Sequence, residues 1–332
     1  MVAVREVHAS APAGLDEQIH TSLEPVVLRG FVSSWPAVHA ALDGAEALAD
    51  YLTEFDSQDP LTVYVGDASM RGRFFYDDDC TGFNFRSGRA TLAQVLARLL
   101  GPKVDDGIDS IYVGSTPVDQ WLPGFRASND VALPVDDALA SFWIGGPTTV
   151  SAHFDFPSNL ACVVAGERRF TLFPPDQLEN LYVGPLDRTP SGQAISMVDF
   201  DAPDLARYPK FAEAQRHAVE VDLRPGDALF VPSMWWHHVR ATAPLNLLVN
   251  YWWCSTPAAM GAPSAALNHA LLALRDLPPA QRDAWRRLFD FYVFDAQPEN
   301  FEHIPKPGRG VLDPLNEETM LRMREELKQR LG

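Results

Sequence analysis

The sequence predicts a mainly β fold, a barrel or sandwich with helical additions. Between about residues 109 and 253, short apolar segments alternate with turn residues. That spacing is typical of all-β domains and differs from alternating βαβ units. The segment Arg224–Asp227 (Arg-Pro-Gly-Asp) is a strong turn signal between two of these strands. After Cys254 the apolar residues recur at helical spacing, which predicts a helical end.

Residues 1–108 have mixed character, and we expect an α/β region packed on the barrel. Its expected strands are 24–30, 61–65 and 73–76; its expected helices are 45–55 and a second that Thr91 caps. Trp35-Pro36 is expected to close a turn. The acidic run 77–79 is typical of a solvated turn, with a cation site as the less favoured interpretation.

Residues 109–256 form the expected barrel, and residues 257–332 form an expected helical region. The expected strands are 111–114, 142–144, 148–155, 160–164, 169–173, 194–198, 218–223, 228–231, 236–241 and 247–253. The expected helices begin near Ser264, at Pro279 and after Asn316. This tail is too short for a good core of its own, so it must pack on the barrel or on a second copy.

Composition narrows the classes of partner and compartment. The 332 residues carry a formal net charge of −17, which disfavours binding along a phosphate backbone or an anionic membrane. Three scattered cysteines form neither a zinc spacing nor a disulfide framework and suit a reducing compartment. No signal peptide or membrane-spanning apolar run is evident, so we expect a cytoplasmic protein.

One short stretch predicts a metal site. His153 and Asp155 lie two residues apart on an expected strand and therefore project from the same face. A third ligand must come from a distant strand, and either His237 or His238 qualifies, because alternation lets only one of them face inward. Two histidines and one carboxylate form the facial triad that binds Fe(II) and leaves positions open for a 2-oxo acid and dioxygen. Zinc fits the same ligands.

Several motifs in one order resemble a known family. They are 153–155, Asn159, 166–169, 172–177, Leu181-Tyr182, 198–204, 225–227, 235–238 and Val249-Asn250. Over about residues 142–253 the chain resembles the cupin-like JmjC group of Fe(II)- and 2-oxoglutarate-dependent oxygenases. Within that group it is similar to the asparaginyl hydroxylase called factor inhibiting HIF and to its bacterial relatives. The resemblance implies a double-stranded β-helix of the cupin or jelly-roll type.

The resemblance also implies roles for individual residues. His153, Asp155 and His237 would hold Fe(II), because the first histidine of the Trp-Trp-His-His run is the ligand in that family. Arg168 stands where the relative has a lysine that pairs with the distal carboxylate of 2-oxoglutarate; arginine pairs with carboxylates bidentately but differs in reach. The co-substrate pocket would also contain three residues, Tyr112, Asn159 and Asn250. The family favours a protein side chain as substrate, and some relatives dimerise through C-terminal helices.

The chain departs from its relative at substrate and co-substrate positions. Val150 replaces a pocket threonine, for which Thr149 or Ser151 might substitute. Ala194 and Ile195 replace the Arg-Gln pair that holds the target asparagine's amide, so we do not expect a copy of that hydroxylase. For Trp121, Trp143 and Trp252 we favour a role in the structural core over a role in lining the site for an apolar or aromatic substrate.

The leading hypothesis is therefore a dioxygenase that couples decarboxylation of 2-oxoglutarate to hydroxylation of a protein side chain or small molecule. The alternatives are a cupin-type metal-dependent hydrolase or isomerase and a non-catalytic binding protein. Arg168 and Asn159 argue against the hydrolase, and the intact triad argues against the binding protein. We expect a homodimer, no membrane association and no nucleic-acid partner. Glu213 and His217, at helical spacing, are expected to form a surface pair.

Overall fold

The computed structural model describes residues 4–8, 15–102, 104, 106–190 and 192–331. The expectation that the N-terminus carries no signal peptide falls partly on residues 1–3, which lie outside these ranges. The chain divides into two compact units, residues 1–254 and residues 255–332. The expected separation of residues 1–108 from the barrel stays a prediction, although strands from that region join the sheet described next.

The first unit contains two β-sheets. Its strands are β1 (Arg5–His8), β2 (Val26–Arg29), β3 (Leu61–Gly66), β4 (Arg73–Phe74), β5 (Arg86–Ala90), β6 (Ser110–Pro117), β7 (Leu139–Gly145), β8 (Thr148–Phe154), β9 (Ser158–Ala165), β10 (Arg168–Phe173), β11 (Val219–Leu223), β12 (Ala228–Val231), β13 (Trp236–Ala241) and β14 (Asn246–Trp253). The nine-stranded sheet has the order β1-β2-β12-β9-β14-β7-β6-β3-β5, and the five-stranded sheet has the order β11-β10-β13-β8-β4. The mainly β, cupin-like jelly-roll class is thereby confirmed.

Two apolar layers hold these sheets. One lies between the sheets and includes Val163, Leu172 and Val239. The other covers the far face of the larger sheet, where helices pack Val38, Leu52 and other buried residues against it. The helices of this unit are α1 (Glu17–His20), α2 (Pro36–Asp43), α3 (Ala45–Thr53), α4 (Leu92–Leu100), α5 (Val118–Trp121) and α6 (Phe211–His217). Thr91 caps α4 through a capping box with Gln94, as expected.

The turn after β2 ends at Trp35, as expected, and the Trp35 amide donates to the Val32 carbonyl at 3.0 Å. Pro36 then begins α2, a position where its fixed φ and missing N–H are tolerated. One local expectation was wrong. Segment 194–198 is not a strand: Ser196 forms one isolated bridge with Val183, and its amide donates to the Ala152 carbonyl. The run 77–79 does form a turn, between the bridged residues Tyr76 and Phe83.

The second unit contains α7 (Pro263–Leu274), α8 (Pro279–Phe289) and α9 (Glu317–Leu331), close to the expected positions. The Asn316 side chain accepts from the Thr319 amide at 2.9 Å and so caps α9. None of the three helices contains a buried residue. Within the described ranges, no helix combines the length and apolarity needed to cross a membrane.

Candidate active site

The predicted metal ligands meet where β8 and β13 run side by side. His153 on β8 is the direct cross-strand partner of His237 on β13, and their ring centroids are 4.3 Å apart. Asp155 follows the end of β8. The ligand atoms of the three residues lie within 4.8 Å of one another, and they form the one such group of three found in the described ranges. The acidic run 77–79 is not part of any such group, so the described residues give no support to the less favoured interpretation of a cation site there.

A β-bulge sets which residues of β8 face inward. His237 pairs with His153 but Val239 pairs with Val150, so three steps along β8 oppose two along β13. The extra residue changes the alternation, and Val150 and His153 consequently line the same cavity. Thr149 and Ser151 do not line it; Ser151 instead accepts a hydrogen bond from Arg73 at 3.4 Å. The suggestion that either replaces the missing pocket threonine is therefore wrong.

Backbone carbonyls fix how both histidine rings point. Nδ1 of His153 lies 3.0 Å from the Ser151 carbonyl oxygen, and Nδ1 of His237 lies 3.1 Å from that of Trp235. A carbonyl oxygen only accepts, so Nδ1 carries the proton in each ring and Nε2 keeps a free lone pair. Burial lowers the pKa of His237 to about 4, which keeps the ring neutral near pH 7. Both rings are thus prepared as metal ligands.

The carboxylate of Asp155 completes a donor set that fits a metal ion. Its Oδ2 atom is buried, has no hydrogen-bond partner in the part of the chain that the structure describes, and lies 3.5 Å from Nε2 of His237. A buried, unpartnered carboxylate oxygen is costly unless a cation offsets it. Two imidazoles and one carboxylate on one side of a cavity fit Fe(II) with open coordination positions.

His238, the competing candidate, faces the opposite side of the small sheet. Its ring stacks on Phe200, with centroids 4.6 Å apart and planes 21° apart. Burial, reinforced by the charge of Arg73, lowers its pKa to about 3. The structure therefore places His237, and not His238, beside His153 and Asp155.

Arg168, at the start of β10, gives the same cavity a positive charge. The residue is only 4% exposed, and its Nε has no hydrogen-bond partner among the described residues. Burial lowers the pKa of its guanidinium, and only the nearby phenol of Tyr112 opposes that effect. The next residue, Arg169, points outward and pairs with Asp222 at 2.7 Å. A buried guanidinium without a carboxylate partner in the described part of the chain marks a site for an anion.

Polar side chains between the two charged ends form a short hydrogen-bonded chain. Nε1 of Trp143 donates to Oδ1 of Asn250 at 2.7 Å, and Nδ2 of Asn250 donates to Oδ1 of Asn159 at 3.2 Å. Tyr112 lies beside them, and burial raises the pKa of its phenol above the usual range. The phenol therefore stays protonated and can donate a hydrogen bond.

All seven predicted site residues line one cavity of about 350 Å³. They are Tyr112, His153, Asp155, Asn159, Arg168, His237 and Asn250. A larger surface depression, about 870 Å³, contains none of them and lacks a comparable donor set. The structure brings the predicted metal and co-substrate residues together, whereas Ala194 and Ile195 are buried and do not line this cavity.

The remaining cavity wall is aromatic and was only partly predicted. Trp143 and Trp252 line the cavity, but Trp121 packs against the core cluster beyond the larger sheet. Phe74 and Phe85 also line it and pack edge to face at 5.3 Å. Sequence reasoning missed these two phenylalanines, because their segment, 73–86, carries no recognisable site motif.

Comparison with known proteins agrees with this site. The family model described as "Cupin-like domain" matches residues 12–259. The tRNA wybutosine-synthesizing protein 5 of Mus musculus is 32% identical over 166 residues, 45% of this chain and 50% of that protein. The lysine-specific demethylase JMJ31 of Arabidopsis thaliana is 34% identical over 116 residues, 35% of this chain and 21% of that protein.

A third relative matches over a longer region. The Jumonji C domain-containing protein 5 of Drosophila melanogaster is 25% identical over 242 residues, 69% of this chain and 54% of that protein. The matched regions thus span between 21% and 54% of these relatives. The chain belongs to the cupin-like domain family and is similar to JmjC-type oxygenases within it.

Proposed function

We propose that this protein is an Fe(II)- and 2-oxoglutarate-dependent hydroxylase. One observation carries the proposal: a single cavity holds both the triad, with its unpartnered Asp155 oxygen, and the unpartnered guanidinium of Arg168. The triad suits a metal, and Arg168 suits the distal carboxylate of a dicarboxylic 2-oxo acid. The triad alone would serve a metal-dependent hydrolase, and Arg168 alone would serve a protein that binds an anion; the presence of both in one cavity favours the hydroxylase.

Each residue has a defined task in this proposal. His153, Asp155 and His237 hold Fe(II), and Arg168 and the Tyr112 phenol bind the distal carboxylate of 2-oxoglutarate. Asn159 and Asn250 provide amide groups between the two ends. When bound, Fe(II) supplies the activation of dioxygen that couples decarboxylation of 2-oxoglutarate to hydroxylation. The aromatic wall excludes water from the reacting groups.

The substrate is proposed as a protein side chain or a small molecule. One relative is named for lysine demethylation and another for tRNA wybutosine synthesis, so the names of the relatives do not identify the class of substrate. No acidic side chain other than Asp155 lines the cavity, which disfavours a cationic target group. The net charge of −17 disfavours RNA.

Turnover of the co-substrate tests the proposal. Purified protein with Fe(II), ascorbate and 2-oxoglutarate is expected to form succinate slowly even without the prime substrate. Asp155→Ala should abolish this reaction, and Arg168→Met should weaken binding of 2-oxoglutarate. Absence of both succinate formation and 2-oxoglutarate binding in the metal-loaded protein would reject the proposal and favour the hydrolase alternative.

We also propose a homodimer formed through residues 255–332. Large apolar side chains of this unit are exposed, including Leu272 at 80% and Phe294 at 73%. Monomers rarely leave large apolar patches open to water. Sedimentation velocity should give a dimer that Leu272→Glu with Phe294→Glu converts to a monomer. A monomeric unmodified protein at micromolar concentration would refute the proposal.

A further inference from the structure

Strand β5 is an open edge of the larger sheet. It is the last strand in the order, pairs only with β3, and has four exposed residues out of five. Within the described ranges its backbone makes no hydrogen bond to any segment other than β3. Every second amide and carbonyl along such a strand is available to a further strand.

Two arginines give this edge a charge opposite to that of the protein. Neither Arg86 nor Arg89 has a carboxylate within 4.0 Å in the described part of the chain, and the charge of Arg86 reaches one carboxylate at longer range, that of Asp67, whose pKa it helps to lower. Arg89 donates to Oγ1 of Thr62 at 3.2 Å and to the Pro60 carbonyl, which hold the side chain without neutralising it. The stretch from Cys80 to Val104 contains no acidic residue, whereas the whole chain contains 44. The edge is therefore a local cationic strip on an acidic protein.

The strip continues into the cavity. Phe85, the residue before β5, lines the cavity and stacks on Phe83 at 5.0 Å. Ser87 is the cross-strand partner of Tyr64, which is in turn the partner of Tyr112 inside the cavity. Strands lie about 4.8 Å apart, so the edge is only about 10 Å from the strand that carries Tyr112.

From these observations we propose that β5 binds an extended, acidic segment of a protein substrate by strand addition. The bound segment passes Phe85 and delivers its target side chain to the cavity; this inference rests on the proposed hydroxylase function. Main-chain hydrogen bonds to β5 supply affinity, and Arg86 and Arg89 select acidic side chains. A second copy of β5 is a poor occupant, because its arginines would oppose these arginines. A nucleic acid lacks the backbone groups that complete a sheet edge.

Binding of a defined peptide tests the proposal without turnover. The probe is a fluorescein-labelled decapeptide of alternating glutamate and valine, measured by anisotropy, with hydrogen exchange locating the protected amides. Protection is expected in residues 86–90. Arg86→Glu with Arg89→Glu should weaken binding about tenfold or more. The exposed arginines of α8 provide a matched control, so Arg282→Glu with Arg287→Glu should leave the affinity unchanged.

Two further probes separate strand addition from simple charge attraction. The same peptide with N-methylated valines, which cannot donate from those positions, should lose binding. Unchanged binding of the N-methylated peptide, or absence of protection at 86–90, would overturn the proposal. So would a short single-stranded RNA that binds at this edge while the peptide does not. Missing succinate with intact peptide binding would reject only the hydroxylase function; the reverse would reject only this inference.

Discussion

The two ends of the cavity are built in different ways. At the metal end, His153 and His237 sit on neighbouring strands, and a backbone carbonyl fixes each ring. At the anion end, Arg168 reaches in from β10 as a long side chain whose Nε has no hydrogen-bond partner. The protein's own backbone thus orients both histidine rings, whereas no hydrogen bond among the described residues orients the Nε atom of Arg168. The two ends should therefore respond differently to substitution.

Loss of a metal ligand should have the largest effect. Asp155→Ala removes the only carboxylate of the triad, so affinity for Fe(II), or for Mn(II) as a probe, should fall more than about 100-fold, and succinate formation should cease. Anaerobic titration followed by electron paramagnetic resonance of Mn(II) measures the affinity.

The matched control for Asp155 is Asp201→Ala, because Asp201 is an exposed carboxylate that pairs with Arg240 on the surface. It should change neither metal affinity nor turnover. Near-normal metal affinity of Asp155→Ala would mean that the triad is not the metal site.

Replacement of Arg168 should weaken the binding of 2-oxoglutarate and raise the free energy of unfolding of the ligand-free protein. In Arg168→Met the dissociation constant of 2-oxoglutarate should rise about 100-fold or more, because a buried charge-assisted contact is lost. Metal affinity should not change. Without 2-oxoglutarate the variant should be more stable by about 1 kcal/mol or more, since an unpaired buried cation is removed. Calorimetry and chemical denaturation measure the two effects.

The neighbouring Arg169 supplies the control. Arg169→Met breaks an exposed pair with Asp222, so stability should fall by at most about 1 kcal/mol, with no effect on 2-oxoglutarate. If Arg168→Met instead destabilised the ligand-free protein as a cavity substitution would, the contrast between the two ends would be wrong.

The two ends of the cavity also differ in how much of each could be predicted from the sequence. The predicted metal ligands lie in short sequence motifs. The spacing of His153 and Asp155 predicted both as ligands, and the family resemblance favoured His237 over His238 as the third. Resemblance also placed Val150 in the pocket, but the bulge that turns Val150 and His153 to the same cavity cannot be recognised from alternation. The sequence did not predict that Phe85 lines the cavity, because its position depends on the packing of β5 at a sheet edge. Segment 194–198 looked like a strand because it is apolar, but only Ser196 finds a bridge partner.

Tyr112→Phe should have a smaller effect at the anion end. Loss of one hydrogen bond should lower the affinity for 2-oxoglutarate about threefold to tenfold. Because burial raises the pKa of the phenol, it donates at every pH below that raised value, and the difference between protein and variant should stay constant from about pH 7 to 9.5. A difference that disappears within this interval would show that the phenol ionises there. Tyr208→Phe is the control, because the Tyr208 ring packs on Tyr182 and does not line the cavity.

Val150→Thr should produce the smallest change, and in the opposite direction. The new hydroxyl would face the cavity beside the bulge, where it can donate to a bound carboxylate, so 2-oxoglutarate should bind about twofold to fivefold more tightly. In the ligand-free protein the same hydroxyl replaces a methyl group in an apolar wall and should cost about 1 kcal/mol of stability. Val150→Ala is the control, because it also loses packing but adds no donor: it should destabilise the protein without tightening 2-oxoglutarate. If Val150→Thr and Val150→Ala changed the affinity equally, the anion end would be limited by space and not by the number of its donors.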